Sequence, residues 1–188
     1  FLSGKGNRAG ALLFTGGVEH MVPARGGRRQ FLVLLDALTR YRAPKKVQAT
    51  DLKRVLTDAA KMIRRRSLVF VVSDFISAPG WEKPLGQLAS RHDVIAVRLT
   101  DPLEVRLPDL GLITFQDAES GDQLFVDTHD KGFRARFVAA AERRNEELMT
   151  AFTAAGVDAL ELSTEDDVAD AVLRFADMRR LRFAKKTA

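Results

Sequence analysis

The chain has 188 residues, 46% of them hydrophobic, no cysteine, and a formal net charge of +5. That length and apolar content suit one sizeable α/β domain over residues 1–188 rather than two. The missing cysteine excludes disulfides and thiolate metal centres. No apolar run approaches the ~20 residues of a membrane-spanning helix, and the residues from Phe1 to Gly6 lack the basic-then-apolar pattern of a secretory signal. The expected location is therefore cytoplasmic. With no initiator Met, the chain reads as starting partway into a larger protein.

Charge is segregated along the chain. Residues 1–66 carry 15 basic against 4 acidic side chains, residues 67–173 carry 9 against 20, and residues 174–188 carry 6 against 1. A basic first third suits nucleic acid, an acidic partner, or the acidic part of the same fold. The basic residues are scattered and accompanied only by Tyr41 and a few Phe, whereas a single-strand binder needs stacking aromatics on its basic surface.

In chain order, the apolar run through Leu12, Leu13 and Phe14, the turn at Thr15-Gly16-Gly17 and the alternating stretch Val18–Val22 predict a hairpin. Pro23 to Arg29 reads as a flexible basic loop. Gly26-Gly27 lacks the Gly-Lys-Ser/Thr ending of a phosphate loop and reads as a hinge. Phe31, Leu32, Leu34, Leu35 and Leu38 recur at helical spacing across 28–40. Ala43-Pro44-Lys45-Lys46 breaks the chain. Thr50 is the expected N-cap of the next helix, with Asp51 in its first turn and an apolar stripe through Leu52, Val55, Leu56, Ala59, Ala60 and Ile63.

Leu68 to Val72 is a continuous apolar run that predicts a strand buried on both faces, central to an α/β sheet. Ser73 and Asp74 follow at its carboxyl end, where open α/β sheets bind ligands. A helix over 81–91 and a strand over 94–99 complete a βαβ unit with parallel pairing. Residues 103–127 read as an inserted β-hairpin with a turn from Ala118 to Asp122. A long helix over 131–155 stops at Gly156, a strand spans 157–162, and the last helix is expected to turn Val168, Val172, Leu173 and Phe175 inward. His20, His92 and His129 lie in different elements without metal-ligand spacing and are expected at the surface.

No catalytic set stands out: there is neither a Gly-x-Ser-x-Gly elbow nor a His-Glu-x-x-His motif. The one pairing with a mechanism is Thr50 with Asp74. Their hydroxyl and carboxylate oxygens are hard ligands suited to Mg²⁺ if the two loops converge at one sheet edge. The plainer reading makes Thr50 a cap and Asp74 a turn former.

Several of these residues recur in order in a known family. The runs are Arg8-Ala9-Gly10-Ala11-Leu12-Leu13-Phe14, Gly26-Gly27-Arg28-Arg29, Thr50-Asp51-Leu52 and Val72-Ser73-Asp74-Phe75. They continue with Asp101-Pro102-Leu103-Glu104, Leu107-Pro108, Asp117-Ala118-Glu119-Ser120-Gly121 and Arg179. Over nearly its whole length the chain resembles the C-terminal part of the bacterial domain of unknown function family 58. That resemblance implies a three-layer, Rossmann-like von Willebrand factor A-type fold with a mostly parallel sheet. It also implies a metal-ion-dependent adhesion site built from an Asp-x-Ser-x-Ser loop, a Thr and an Asp. Thr50 and Asp74 match the second and third loops. The first is absent from these residues, so the sheet is expected to lack its first central strand and Mg²⁺ affinity to be weak or nil. The family resembles binding modules rather than enzymes and is associated with MoxR-type AAA+ ATPases in chaperone-like assembly or maturation. The implied role is an adaptor that meets its ATPase and a client protein at the edge carrying Thr50 and Asp74, with Ser73, Phe75, Arg28 and Arg29 at the partner surface.

Two rivals come from other classes. A metal-dependent hydrolase or nuclease would use Asp74 and Asp101 at neighbouring strand ends. A nucleic-acid-binding module would track Arg28 and Arg29 and weaken steeply with salt.

Overall fold

The structure, a computed structural model, describes residues 6–14, 18–42, 50–116 and 123–186. The turn at Thr15 to Gly17, the break at Ala43 to Lys46 and the hairpin tip from Asp117 to Asp122 lie outside the described residues.

The first hairpin forms as expected, β1 (Arg8–Phe14) pairing antiparallel with β2 (Val18–Gly26). β2 runs on through Gly26, so most of the stretch expected as a flexible loop is strand instead. Arg8 and Ala9 of β1 pair with Gly26 and Arg25, giving those backbone groups ladder partners. Gly27 then holds φ at 90°, a conformation glycine adopts without penalty, and delivers the chain into α1 (Arg28–Arg40). The hinge reading holds. The side-chain amide of the buried Gln30 fastens α1 to the hairpin by donating to the carbonyls of Ala9 and Pro23, each at 2.9 Å. Phe31, Leu32, Leu35 and Leu38 of α1 stay exposed.

α2 (Leu52–Met62) buries Leu52, Val55, Leu56 and Ala59, the stripe its spacing predicts. Its N-cap is Asp51 and not Thr50. The Asp51 carboxylate accepts from the Arg54 amide at 3.1 Å, satisfying a first-turn donor that Thr50, one residue further out, does not reach.

β3 (Leu68–Ser73), α3 (Glu82–Arg91) and β4 (Asp93–Thr100) form the expected parallel βαβ unit, and β7 (Asp158–Ser163) pairs parallel on the other side of β4. Among the described residues the sheet order is β3-β4-β7, so β4 lies between two strands and β3 is paired on one side. It alternates: Val69 and Val71 pack on the core, whereas Leu68, Phe70 and Val72 are exposed. The strand buried on both faces is β4, continuously from Val94 to Arg98. Val94 and Ala96 meet a cluster containing Leu56, Leu85, Leu88 and Phe152, and Ile95 and Val97 meet Ala171 and Phe175. Helices therefore cover both faces of the central strand.

The short α4 (Pro102–Val105) follows β4, and β5 (Leu112–Gln116) pairs antiparallel with β6 (Gln123–Asp127) as a sheet of its own. α5 (Lys131–Ala154) buries Ala141, Leu148 and Phe152, and Gly156, with φ at 69°, ends it as predicted. α6 (Val168–Lys186) turns Phe175 inward as expected, but not the other three residues expected there. Ala171 and Phe175 are buried, whereas Val168, Val172 and Leu173 are exposed. One turn beyond Phe175, Arg179 anchors that face to the amino-terminal edge of the sheet. Its Nη2 donates to Asp93 at 2.6 Å and its Nε to Asp158 at 2.7 Å. Burial works against its charge, but the two carboxylates outweigh it and hold the guanidinium pKa above its ordinary value.

His92 also departs from expectation. It caps the carboxyl end of α3 with 5% of its surface exposed, and among the described residues no well-formed hydrogen bond reaches either ring nitrogen. His20 and His129 are exposed as expected.

Candidate functional site

The carboxyl end of β3 is a loop held by its own side chains. The Ser73 hydroxyl accepts from the Phe75 amide at 3.1 Å, and the Asp74 Oδ1 accepts from the Ile76 amide at 2.9 Å and from Ser73 Oγ at 3.3 Å. Short polar side chains that bond the backbone two residues on are turn formers. Between them Phe75 takes φ at 59°, the one non-glycine residue with positive φ among those described. That conformation is costly for a side chain with a Cβ, so packing must hold it. The ring supplies the packing, stacking edge-on to Phe152 at 4.8 Å and tilted against Trp81 at 5.6 Å.

Phe75 is thus 3% exposed and is a core anchor, not a residue of a partner surface. The apolar run from Leu68 to Val72 did not reveal this, because the turn after Ser73 decides which way the ring points.

Two residues further on, Ser77 reaches the amino terminus of α2. Its hydroxyl donates to the Thr50 carbonyl at 2.8 Å and accepts from the Leu52 amide at 3.2 Å. The Thr50 loop and the Asp74 loop are therefore joined directly. Ser77 was missed as a site residue because the bond spans 25 to 27 positions and has no local signature. Asp74 is exposed, Ser73 and Thr50 are half-buried, and one Asp74 oxygen is committed to its turn.

The oxygens here (two hydroxyls and a carboxylate) suit a hard cation in kind. In number they are few: among the described residues no group of three or more His, Asp or Glu side chains is arranged to hold a metal.

Asp101, at the end of β4, caps α4 by accepting from the Leu103 amide at 2.8 Å, and its other oxygen accepts from Thr164 Oγ1 at 3.4 Å. It is a cap and a tie to the segment after β7, which gives the hydrolase reading no support. Arg28 and Arg29 are exposed at the start of α1, beside the exposed apolar side chains of that helix. The single tyrosine, Tyr41, donates its hydroxyl to Glu19, so it is engaged within the fold. The surface around Arg28 and Arg29 is basic and apolar, with Phe31 an exposed aromatic beside them.

The family of proteins of unknown function DUF58 matches residues 1–147. The uncharacterized protein Rv1480 of Mycobacterium tuberculosis is 36% identical over 179 residues, as is the uncharacterized protein Mb1516 of Mycobacterium bovis; each match covers 95% of this chain and 56% of the relative. The chain thus spans about half the length of those relatives. The uncharacterized protein MAV169 of Mycobacterium avium is 36% identical over 160 residues, covering 85% of this chain and 94% of that protein.

Among solved structures, the conserved hypothetical protein BatB from Bacteroides thetaiotaomicron superposes with a TM-score of 0.53 at 12% identity, covering 94% of this chain and 81% of that one. An aerotolerance-related membrane protein from Bacteroides fragilis gives 0.51 at 12% identity, covering 89% and 77%. At that identity the likeness is one of fold. Among the described residues of this chain, no helix is long and apolar enough to cross a membrane.

Proposed function

We propose that this chain, which belongs to the DUF58 family, is a non-enzymatic interaction module of von Willebrand factor A type. It docks a partner protein at the loop edge that carries Thr50, Ser73 and Asp74. The supporting observation is the Ser77 hydroxyl, which bonds the Thr50 carbonyl and the Leu52 amide and so joins the two loops at one edge of the parallel sheet. Rigid scaffolds that present exposed loops are where binding residues concentrate. The partner we assign is a MoxR-type AAA+ ATPase acting with a client protein in the cytoplasm, in chaperone-like assembly or maturation. Arg28 and Arg29 serve as a second, basic contact.

Mg²⁺ is the cation whose chemistry fits Thr50 and Asp74. With one carboxylate and two hydroxyls the site leaves most coordination positions to water and to a carboxylate from the partner. The cation then bridges two proteins and does no chemistry. On its own the chain binds it weakly.

The test is a Mn²⁺ titration read by paramagnetic broadening, on this chain and on a version extended at its N-terminus through the Asp-x-Ser-x-Ser strand that the family resemblance implies. Broadening centred on Asp74 that is stronger in the longer protein, and lost in Asp74→Ala, supports the bridge. If Asp74→Ala leaves the longer protein's response intact, the site is elsewhere and the cation bridge is wrong.

A further inference from the structure

Two exposed apolar surfaces of this chain carry opposite charge. The first is the β5–β6 hairpin, a two-stranded sheet of its own. Its register sets Leu112 opposite Asp127 and Thr114 opposite Phe125, so Leu112 and Phe125 share one face as diagonal neighbours. They are 81% and 77% exposed. On the other face Val126 is buried and Ile113 half-buried, so that face is the one turned to the body of the domain. A lone two-stranded hairpin is marginal in water and gains stability when a helix packs on it.

The second surface is α1. Gln30 holds one side of this helix to β1 and β2. The apolar stripe of Phe31, Leu32, Leu35 and Leu38 points elsewhere, and half or more of each residue is exposed. Such a stripe is how a helix buries itself against another layer. Among the described residues the stripe has no layer over it, and the Leu112–Phe125 face has no helix on it.

Charge matches the two surfaces to each other. Residues 101–130, which contain the hairpin, hold eight acidic side chains against Arg106 alone. Residues 21–42, which contain α1, hold five arginines against Asp36 alone. Two copies of either surface repel, whereas one of each attracts.

We propose that this chain self-associates head to tail, α1 of one copy packing its apolar stripe on the Leu112–Phe125 face of a second copy. The contact is heterologous, so further copies add to the free helix and the free hairpin, as rings or short filaments. Each side offers a few hundred Å² of apolar surface, below the ~1,200 Å² of a standard interface, so the association is weak and reversible. The contact uses neither Thr50 nor Asp74, and its failure would leave the cation-bridge reading untouched. It does place Arg28 and Arg29 beside the second copy, so self-association competes with the basic contact to another partner.

The experiment is sedimentation velocity of the whole chain from about 5 to 500 μM, the range suited to an interface this small. It is run in about 50 mM and about 500 mM NaCl, where charge attraction is screened to different extents. The weight-average sedimentation coefficient should rise with concentration, and the rise should shrink at the higher salt. Two double variants alter only exposed side chains: Phe31→Gln with Leu35→Gln on the helix, and Leu112→Gln with Phe125→Gln on the hairpin. Each alone should lose about tenfold or more in self-affinity, from the apolar area it no longer buries. Mixed in equal amounts they should form a dimer that grows no further, because the intact hairpin of the first receives the intact helix of the second. A mixture that stays monomeric overturns the proposal. A symmetric contact, which leaves one of the two variants associating like the parent, does so too. The same holds for a parent chain that shows no concentration dependence, or whose association is not weakened by salt. A parent that stays monomeric but binds vesicles of phosphatidylglycerol and phosphatidylcholine through Phe31 and Leu35 would make α1 a membrane-surface helix instead.

Discussion

The Ser77 hydroxyl donates to the Thr50 carbonyl at 2.8 Å, across 27 positions of sequence. Through this bond the loop after β3 sets the start of α2, because the same oxygen also accepts from the Leu52 amide. Ser77→Ala leaves a partly buried amide and carbonyl without that partner, which costs about 1–3 kcal/mol. Urea unfolding should show the loss, and amide exchange at Leu52 should accelerate. Unchanged protection at Leu52 would mean that the two loops are held together by something else.

Phe75 sits in the left-handed region because its ring is held by Phe152 and Trp81. Phe75→Ala should cost about 3–5 kcal/mol, the range for truncating a buried aromatic. Phe75→Leu preserves most of the volume and should cost under about 1.5 kcal/mol. Since the ring does not reach the surface, Phe75→Leu should leave partner affinity unchanged in a pull-down. A selective loss of binding at retained stability would place the side chain back at the interface.

His92 gives a signed pH dependence. Burial, and next the charge of Arg91, hold its pKa below the ordinary 6.5, with the Ile63 backbone acting weakly the other way. The unfolded chain therefore takes up a proton, as pH falls through about 6.5, that the folded chain resists. Stability contributed at this site is full above that pH and declines as pH falls toward the lowered folded value. The urea midpoint should drop between pH 7.5 and pH 5.5, and His92→Leu should flatten that part of the profile. The leucine also removes two buried nitrogens that lack a well-formed hydrogen bond, so it should match or exceed the parent at pH 5.5. A leucine variant with an unaltered pH profile would exonerate His92.

Arg179 bridges the first residues of two neighbouring parallel strands, Asp93 of β4 and Asp158 of β7. Arg179→Met should cost about 2–3 kcal/mol, less than a fully buried pair because Asp93 keeps contact with water. The amides of α6 should lose exchange protection before those of β4. A global loss with no early release of α6 would show that Arg179 is not what fastens the helix, leaving Ala171, Phe175 and the Arg182–Asp158 pair to hold it.

Local pattern was enough for much of this protein. The stripe from Leu52 to Ala59, the buried pair Leu85 and Leu88, the parallel βαβ unit and the stop at Gly156 all follow from residue type and spacing, because the 3.6 and 2.0 periods report which side chains share a face. What the pattern could not report is what lies on the other side of that face. Leu68 to Val72 is wholly apolar and Val94 to Leu99 includes Arg98, yet among the described residues only the second stretch is flanked by strands on both sides, and Phe70 is exposed while Ala96 has no exposed surface. The same limit put Val172 rather than Ala171 inward on α6, and placed His92 at the surface. At the candidate site, residue type suggested Thr50 and Asp74 as oxygen donors. Their union through Ser77 and the inward ring of Phe75 were decided only by contacts between segments distant in sequence. Periodicity is a property of neighbours along the chain, whereas burial and hydrogen-bond satisfaction are properties of neighbours in space.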